Sequence, residues 1–132
     1  MFRTALCSLC LILLTSCSSS DSVWHAKAQY WQDFHVHYET RPETLRTGMN
    51  EFLIFIERKK EKHIPDLLVN IQIDHNGMQQ AIPDGALGIY RRALFVQDIQ
   101  HNKLHIHLSY HGKKGEVIFD LAPHAPTPTA AH

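Results

Sequence analysis

Residues 103–111 read KLHIHLSYH. Leu104, Ile106, Leu108 and Tyr110 alternate without a break with His105, His107, Ser109 and His111. Successive side chains on a strand point to opposite faces, so a period of two over this length specifies a half-buried β-strand. Its apolar side is a core face. Its other side carries three imidazoles.

The neighbouring segments read the same way. Residues 112–115, GKKG, form a tight turn into a last strand over 116–121. Upstream, the polar stretch 98–102 connects back to a strand over 88–96, GIYRRALFV. Its phase is ambiguous, because each face carries one arginine. We take Tyr90, Leu94 and Val96 as the inner face, with Arg92 among them. Residues 67–74 alternate again, and Asn76-Gly77 turns the chain, since Asn-Gly accepts positive φ at little cost. Residues 79–82 read as a short edge strand, followed by a turn at Pro83-Asp84-Gly85.

Residues 51–57, EFLIFIE, are apolar on both faces between two acids. Their length and Ile/Phe content favour a central strand over a buried helix turn. The charged run 58–62, RKKEK, reads as a solvated loop. Residues 34–39 alternate Phe34, Val36 and Tyr38 with His35, His37 and Glu39. Pro42 ends that strand because proline donates nothing to a ladder. Residues 47–50, TGMN, are expected to turn the chain. Six or seven short strands with regular turn signals, and no long helical period, specify an all-β fold. The expectation is one immunoglobulin-like sandwich of antiparallel strands over residues 34–121.

The start of the chain is organised differently. Residues 1–20 read MFRTALCSLCLILLTSCSSS. Arg3 precedes an apolar run, 6–14, too short to anchor a protein permanently across a bilayer. The run ends in Leu14-Thr15-Ser16-Cys17, which resembles the bacterial lipobox, Leu-x-[Ser/Ala/Gly]-Cys. The resemblance implies cleavage after residue 16 and lipidation of Cys17. It places the protein in the bacterial envelope, anchored to a membrane by its N-terminal lipid and facing the periplasm. Ser18 rather than Asp follows Cys17, which favours the outer membrane over the inner. An ordinary signal peptide or an uncleaved anchor would show the same apolar run. Residues 17–33 would be tether and lead-in. Trp24, Tyr30 and Trp31 are out of keeping with a pure linker and are expected to pack on the domain, the alternative being the headgroup zone of the bilayer. The last stretch, 122–132, APHAPTPTAAH, is expected to stay disordered for want of residues to bury.

Cleavage after residue 16 would remove Cys7 and Cys10, and lipidation would consume Cys17, leaving a mature chain with no thiol. That excludes disulfides, thiolate metal sites and a catalytic cysteine. Losing Arg3 takes Lys+Arg from 13 to 12 against 13 Asp+Glu, so the mature chain is nearly neutral. No nucleic-acid partner is implied. There is no Gly-x-Ser-x-Gly, no His-Glu-x-x-His and no phosphate-cradling glycine loop, and the chain is not expected to be an enzyme.

A family resemblance follows from the pattern Phe34-x-Val36-x-Tyr38…Pro42…Gly48-Met49-Asn50-x-Phe52, then Gly88-Ile89-Tyr90…Leu94, then Lys103-Leu104-x-Ile106-x-Leu108. It is similar to the YtkA-like and FixH-like immunoglobulin-type domains, over roughly residues 34–121. Asn102-Lys103-Leu104 stands where those families carry Gly-x-Trp, and Arg92 where they prefer a small or apolar residue. The resemblance implies a periplasm-facing accessory domain with copper or similar metal handling as one role.

The eleven histidines are the chemistry on offer. Two strands carry His-x-His, at His35/His37 and His105/His107. Same-face neighbours on a strand lie about 6–7 Å apart, which lets two imidazoles converge on one ion. His111 would need strand curvature to join as a third. Imidazole with carboxylate or methionine suits copper or another divalent metal. Against this, solvent-facing histidines on an antiparallel strand are ordinary polar residues. The first and penultimate strands of a sandwich also commonly fall in different sheets, which would keep the two pairs apart. Two functions are therefore expected. One is a lipid-anchored accessory protein handling copper or a similar ion through His105, His107, His111, His35 and His37. The alternative is a non-catalytic module docking on an envelope partner, with Leu53 and Phe55 as the uncovered surface.

Overall fold

A computed structural model describes residues 27–61, 63–85 and 88–121. The expected signal peptide, Cys17, Trp24 and the tail 122–132 lie outside the described residues. Among the described residues nine strands run in chain order: β1 (Gln29–Trp31), β2 (Phe34–Arg41), β3 (Gly48–Arg58), β4 (Leu68–Ile73), β5 (Gln79–Gln80), β6 (Ile82–Pro83), β7 (Ile89–Val96), β8 (Lys103–Tyr110) and β9 (Lys113–Asp120). They form two antiparallel sheets, ordered β1-β2-β3-β7-β6 and β5-β4-β8-β9. No helix occurs among the described residues.

The alternation read from the sequence builds the core directly. Leu104, Ile106 and Leu108 of β8 are buried, as are Val36 and Tyr38 of β2, Val69, Ile71 and Ile73 of β4, and Val117 and Phe119 of β9. In β7 the buried residues are Tyr90, Leu94 and Val96, the phase taken from the sequence. Each inner face packs on the other across one continuous core.

Several expectations change. Residues 48–50 do not turn the chain; they open β3, an eleven-residue strand. The reason is Asn50, whose buried side chain ties down the preceding loop. Its Nδ2 donates to the carbonyls of Arg46 (2.7 Å) and Gly48 (3.0 Å), and its Oδ1 accepts from the Arg46 amide (3.1 Å). The single edge strand expected at 79–82 is two strands in two sheets. β5 pairs with β4, then Ala81 turns the corner with its amide on the Val69 carbonyl, and β6 pairs with β7. Pro83, expected in a turn, is the last residue of β6.

The folded unit also begins before Phe34. Residues 29–31, assigned to the lead-in, form β1, which pairs with β2 and lies against β9. Trp31 stacks on Phe34 with ring centres 5.5 Å apart and lies across Gly115. A glycine without a side chain in β9 gives the indole its seat, and β1 closes that side of the sandwich.

At the start of β9, just before Gly115, His111 and Gly112 make a two-residue hairpin turn, with Tyr110 paired to Lys113. Both turn residues have positive φ (47° and 77°), as a type I′ turn requires. The turn is therefore shorter than the expected 112–115, and His111 is part of it rather than of the strand.

Tyr38 is buried, with its hydroxyl 3.4 Å from the Asp120 carbonyl. Burial, aided by the nearby Asp120 carboxylate, holds its phenol well above the usual range. The folded state thus keeps Tyr38 neutral where the unfolded chain ionises it near pH 10. This stability is complete below pH 10 and is lost as pH rises beyond it. Urea unfolding at pH 8 and pH 11 is expected to show a steeper alkaline loss in wild type than in Tyr38→Phe.

Candidate functional site

The two histidine pairs lie in different sheets, His35 and His37 on β2 and His105 and His107 on β8. All four point away from the core, so the sandwich stands between them. No site unites them.

His105 is held by acids on both sides. Its Nδ1 lies 2.6 Å from Glu116 Oε1, and its Nε2 lies 3.5 Å from Asp74 Oδ1. The register explains this, since β9 places Glu116 directly opposite His107 and diagonal to His105. Asp74, just after β4, also accepts from Asn102 Nδ2 (2.8 Å) and the Lys103 amide (3.2 Å). His107 stacks beside His105, its Nε2 3.8 Å from the same Glu116 oxygen, and that buried nitrogen has no hydrogen-bond partner. His111 does not join them. From its turn it stacks on Tyr110 and faces Asp66 at 3.8 Å.

On the other sheet, His35 Nδ1 lies 3.4 Å from Glu57 without hydrogen-bond geometry, and His37 lies flat on Phe55, centres 4.7 Å apart. His101, in the β7–β8 connection, sits 2.7 Å from Asp98 and holds that carboxyl below its usual range. Among the described residues, no three His, Cys, Asp or Glu side chains are placed to hold one metal ion. Carboxylates meet most of these imidazoles instead.

Leu53 and Phe55, expected to form an uncovered face, are covered. Leu53 is 4 % exposed. It sits on a central strand between Glu39 and Arg91, whose long stems close over it. Phe55 is half-buried beneath His37.

The exposed apolar surface of this sheet lies further along the same outer face. Met49 and Phe95 are directly paired between β3 and β7, and both are about half exposed (51 % and 53 %). Ile82 of β6 is 59 % exposed beside them. Together with Ala93, Pro83 and Arg91 they line a groove of about 700 Å³. Arg91 is neutralised there by Glu51 at 2.7 Å and Asp84 at 3.0 Å. A smaller hollow of about 270 Å³, between Ile73, Gln79 and Leu94, lies on the inner side of the same strand end. The sequence held one signal for this patch. Once Tyr90 and Leu94 face inward, Phe95 must face out.

No protein-family model, curated protein or solved structure matches this chain.

Proposed function

We propose that the chain is a non-catalytic binding module of the bacterial envelope, tethered to a membrane by lipid on Cys17, that docks a protein partner through the Met49/Phe95/Ile82 groove. The observation that carries this reading is the concentration of half-exposed large apolar side chains around one groove. Soluble surfaces rarely group such residues without a use for them. The test is site-specific photo-crosslinking in intact envelopes. A photoreactive side chain at position 82 is expected to give one dominant adduct. One at position 114, on the opposite sheet, should give none. Phe95→Asp, a surface change costing about 0.5 kcal/mol or less in stability, should abolish the adduct. Equal adducts from both positions, or an adduct indifferent to Phe95→Asp, would overturn the reading.

A second reading, copper or a similar divalent ion at His105 and His107, is favoured by the unpartnered Nε2 of His107 beside Glu116. It requires an ion to displace Glu116 from His105. Under the docking reading, calorimetric titration with Cu(II) gives the same weak binding for wild type and for the His105→Ala/His107→Ala double variant. Binding lost in the double variant would establish the metal site instead.

A further inference from the structure

The groove borders an open strand edge. β6 pairs with β7 only at Ile82↔Arg91 and Pro83↔Tyr90, because at Ala81 the chain belongs to the other sheet. Among the described residues, β7 continues through residues 92–96 with β3 on one side and no strand on the other. The Asp84 amide donates to the Ile89 carbonyl from the β6 side. Peptide groups alternate sides along a strand, so the N–H and C=O of Ala93 and Phe95 face the opening. Among the described residues nothing pairs with them.

The edges at β1, β5 and β9 are protected. β1 is three residues long and lies against β9, and β5 is two residues long. β9 carries Lys113, Lys114 and Asp120. Short edges and charged edges are the usual defences against strand pairing. Residues 93–96, ALFV, carry neither a charge nor a proline.

Arg92 supplies the charge argument. It points inward at the opening between the sheets, where its Nε donates to Gln79 Oε1 at 2.8 Å. Arg91 has two carboxylates, whereas Arg92 has only this neutral partner among the described residues. An incoming strand bonded to Ala93 and Phe95 would make four backbone hydrogen bonds. Its side chains opposite those residues would lie over Met49, Phe95 and Ile82. Its residue opposite Arg92 would point to the inner side, beside the guanidinium.

We propose that the 92–96 edge of β7 receives an extended segment of the partner protein as an added strand, apolar on alternate residues and acidic opposite Arg92. This rests on the docking reading above and gives the partner its chemical form; strand addition is a general mode of peptide recognition.

The test uses the full chain, ¹⁵N-labelled in detergent, and the blocked peptide Thr-Val-Thr-Val-Glu, which laid antiparallel puts its valines opposite Phe95 and Ala93 and its glutamate opposite Arg92 without reaching the place of Ile82. The peptide is expected to shift the Ala93 and Phe95 amides and slow their hydrogen exchange. N-methylation of its two valines, which lie opposite Phe95 and Ala93, should abolish both effects. Replacing the glutamate by glutamine should weaken binding about fivefold, roughly 1 kcal/mol. Peptide binding unaffected by N-methylation, or unchanged Ala93 and Phe95 amides, overturns strand addition, while the position-82 adduct still stands for docking. Loss of that adduct removes the docking reading itself. Protection present without peptide also overturns the proposal. If it disappears on dilution, the occupant is a second copy; if it disappears on truncation after Leu121, it is the chain's own 122–132 segment.

Discussion

Asn50→Ala is expected to lower the unfolding free energy by about 3 kcal/mol, the cost of leaving buried backbone groups without partners. Asn50 is 1 % exposed, at the start of β3 and on its inner face. One amide side chain satisfies three backbone groups there, the N–H and C=O of Arg46 and the C=O of Gly48. Alanine removes all three bonds in a place that water reaches poorly. Asn50→Asp should be at least as damaging. A carboxylate cannot donate to the two carbonyls and would lie against their negative ends. Met49→Ala is the control. The neighbouring side chain faces outward and is half exposed, so its removal should change stability by about 0.5 kcal/mol or less. Urea unfolding followed by circular dichroism measures all three. A loss at Asn50 no larger than at Met49 would mean that the loop holds itself.

Gly115→Leu should release β1 from the sandwich. A side chain begun at Gly115 would occupy the space of the Trp31 indole. Either Trp31 leaves Phe34 or β9 bends away, and overpacking of this kind costs about 1–3 kcal/mol. The effect is local in origin, so two readouts separate it from general unfolding. The fluorescence of Trp31 should shift to the red as the indole meets water, measured with Trp24 replaced by Phe to leave one tryptophan. Amide exchange should accelerate in residues 29–31 before it does in β8. The double variant Trp31→Ala/Gly115→Leu should be little less stable than Trp31→Ala alone, since leucine then enters vacated space. Residues that share one site are non-additive in this way. Full additivity would show that Trp31 and Gly115 do not depend on each other.

Histidines were conspicuous in the sequence and proved to be scattered in space. His105 and His107 do share a face, as the period of two requires. What a period cannot show is the chain on either side. Glu116 lies opposite because β8 and β9 are joined by a two-residue turn, and Asp74 arrives from β4. His111 looked like a third member of the row and is instead a turn residue with positive φ. The docking surface shows the converse. Leu53 and Phe55 belong to a doubly apolar strand that needs a cover, and side chains of the neighbouring strands supply it. Met49, Phe95 and Ile82 are far apart in sequence and drew no attention, although register brings Met49 and Phe95 together and Ile82 beside them.

The sequence alone determined the all-β class, the sandwich and the inner faces of β2, β4 and β8, because alternation is local and the core admits only apolar side chains. For KLHIHLSYH it determined that Leu104, Ile106 and Leu108 go inward and His105 and His107 go outward. Tertiary structure alone decided where strands stop pairing, that β1 belongs to the fold, and that the chain changes sheets at Ala81. These depend on contacts between residues distant in sequence, such as Trp31 with Gly115 and Ala81 with Val69. The edge of β7, unpaired among the described residues, is the clearest case, since which backbone groups meet a neighbour is set by which strands come alongside, and no side chain records it.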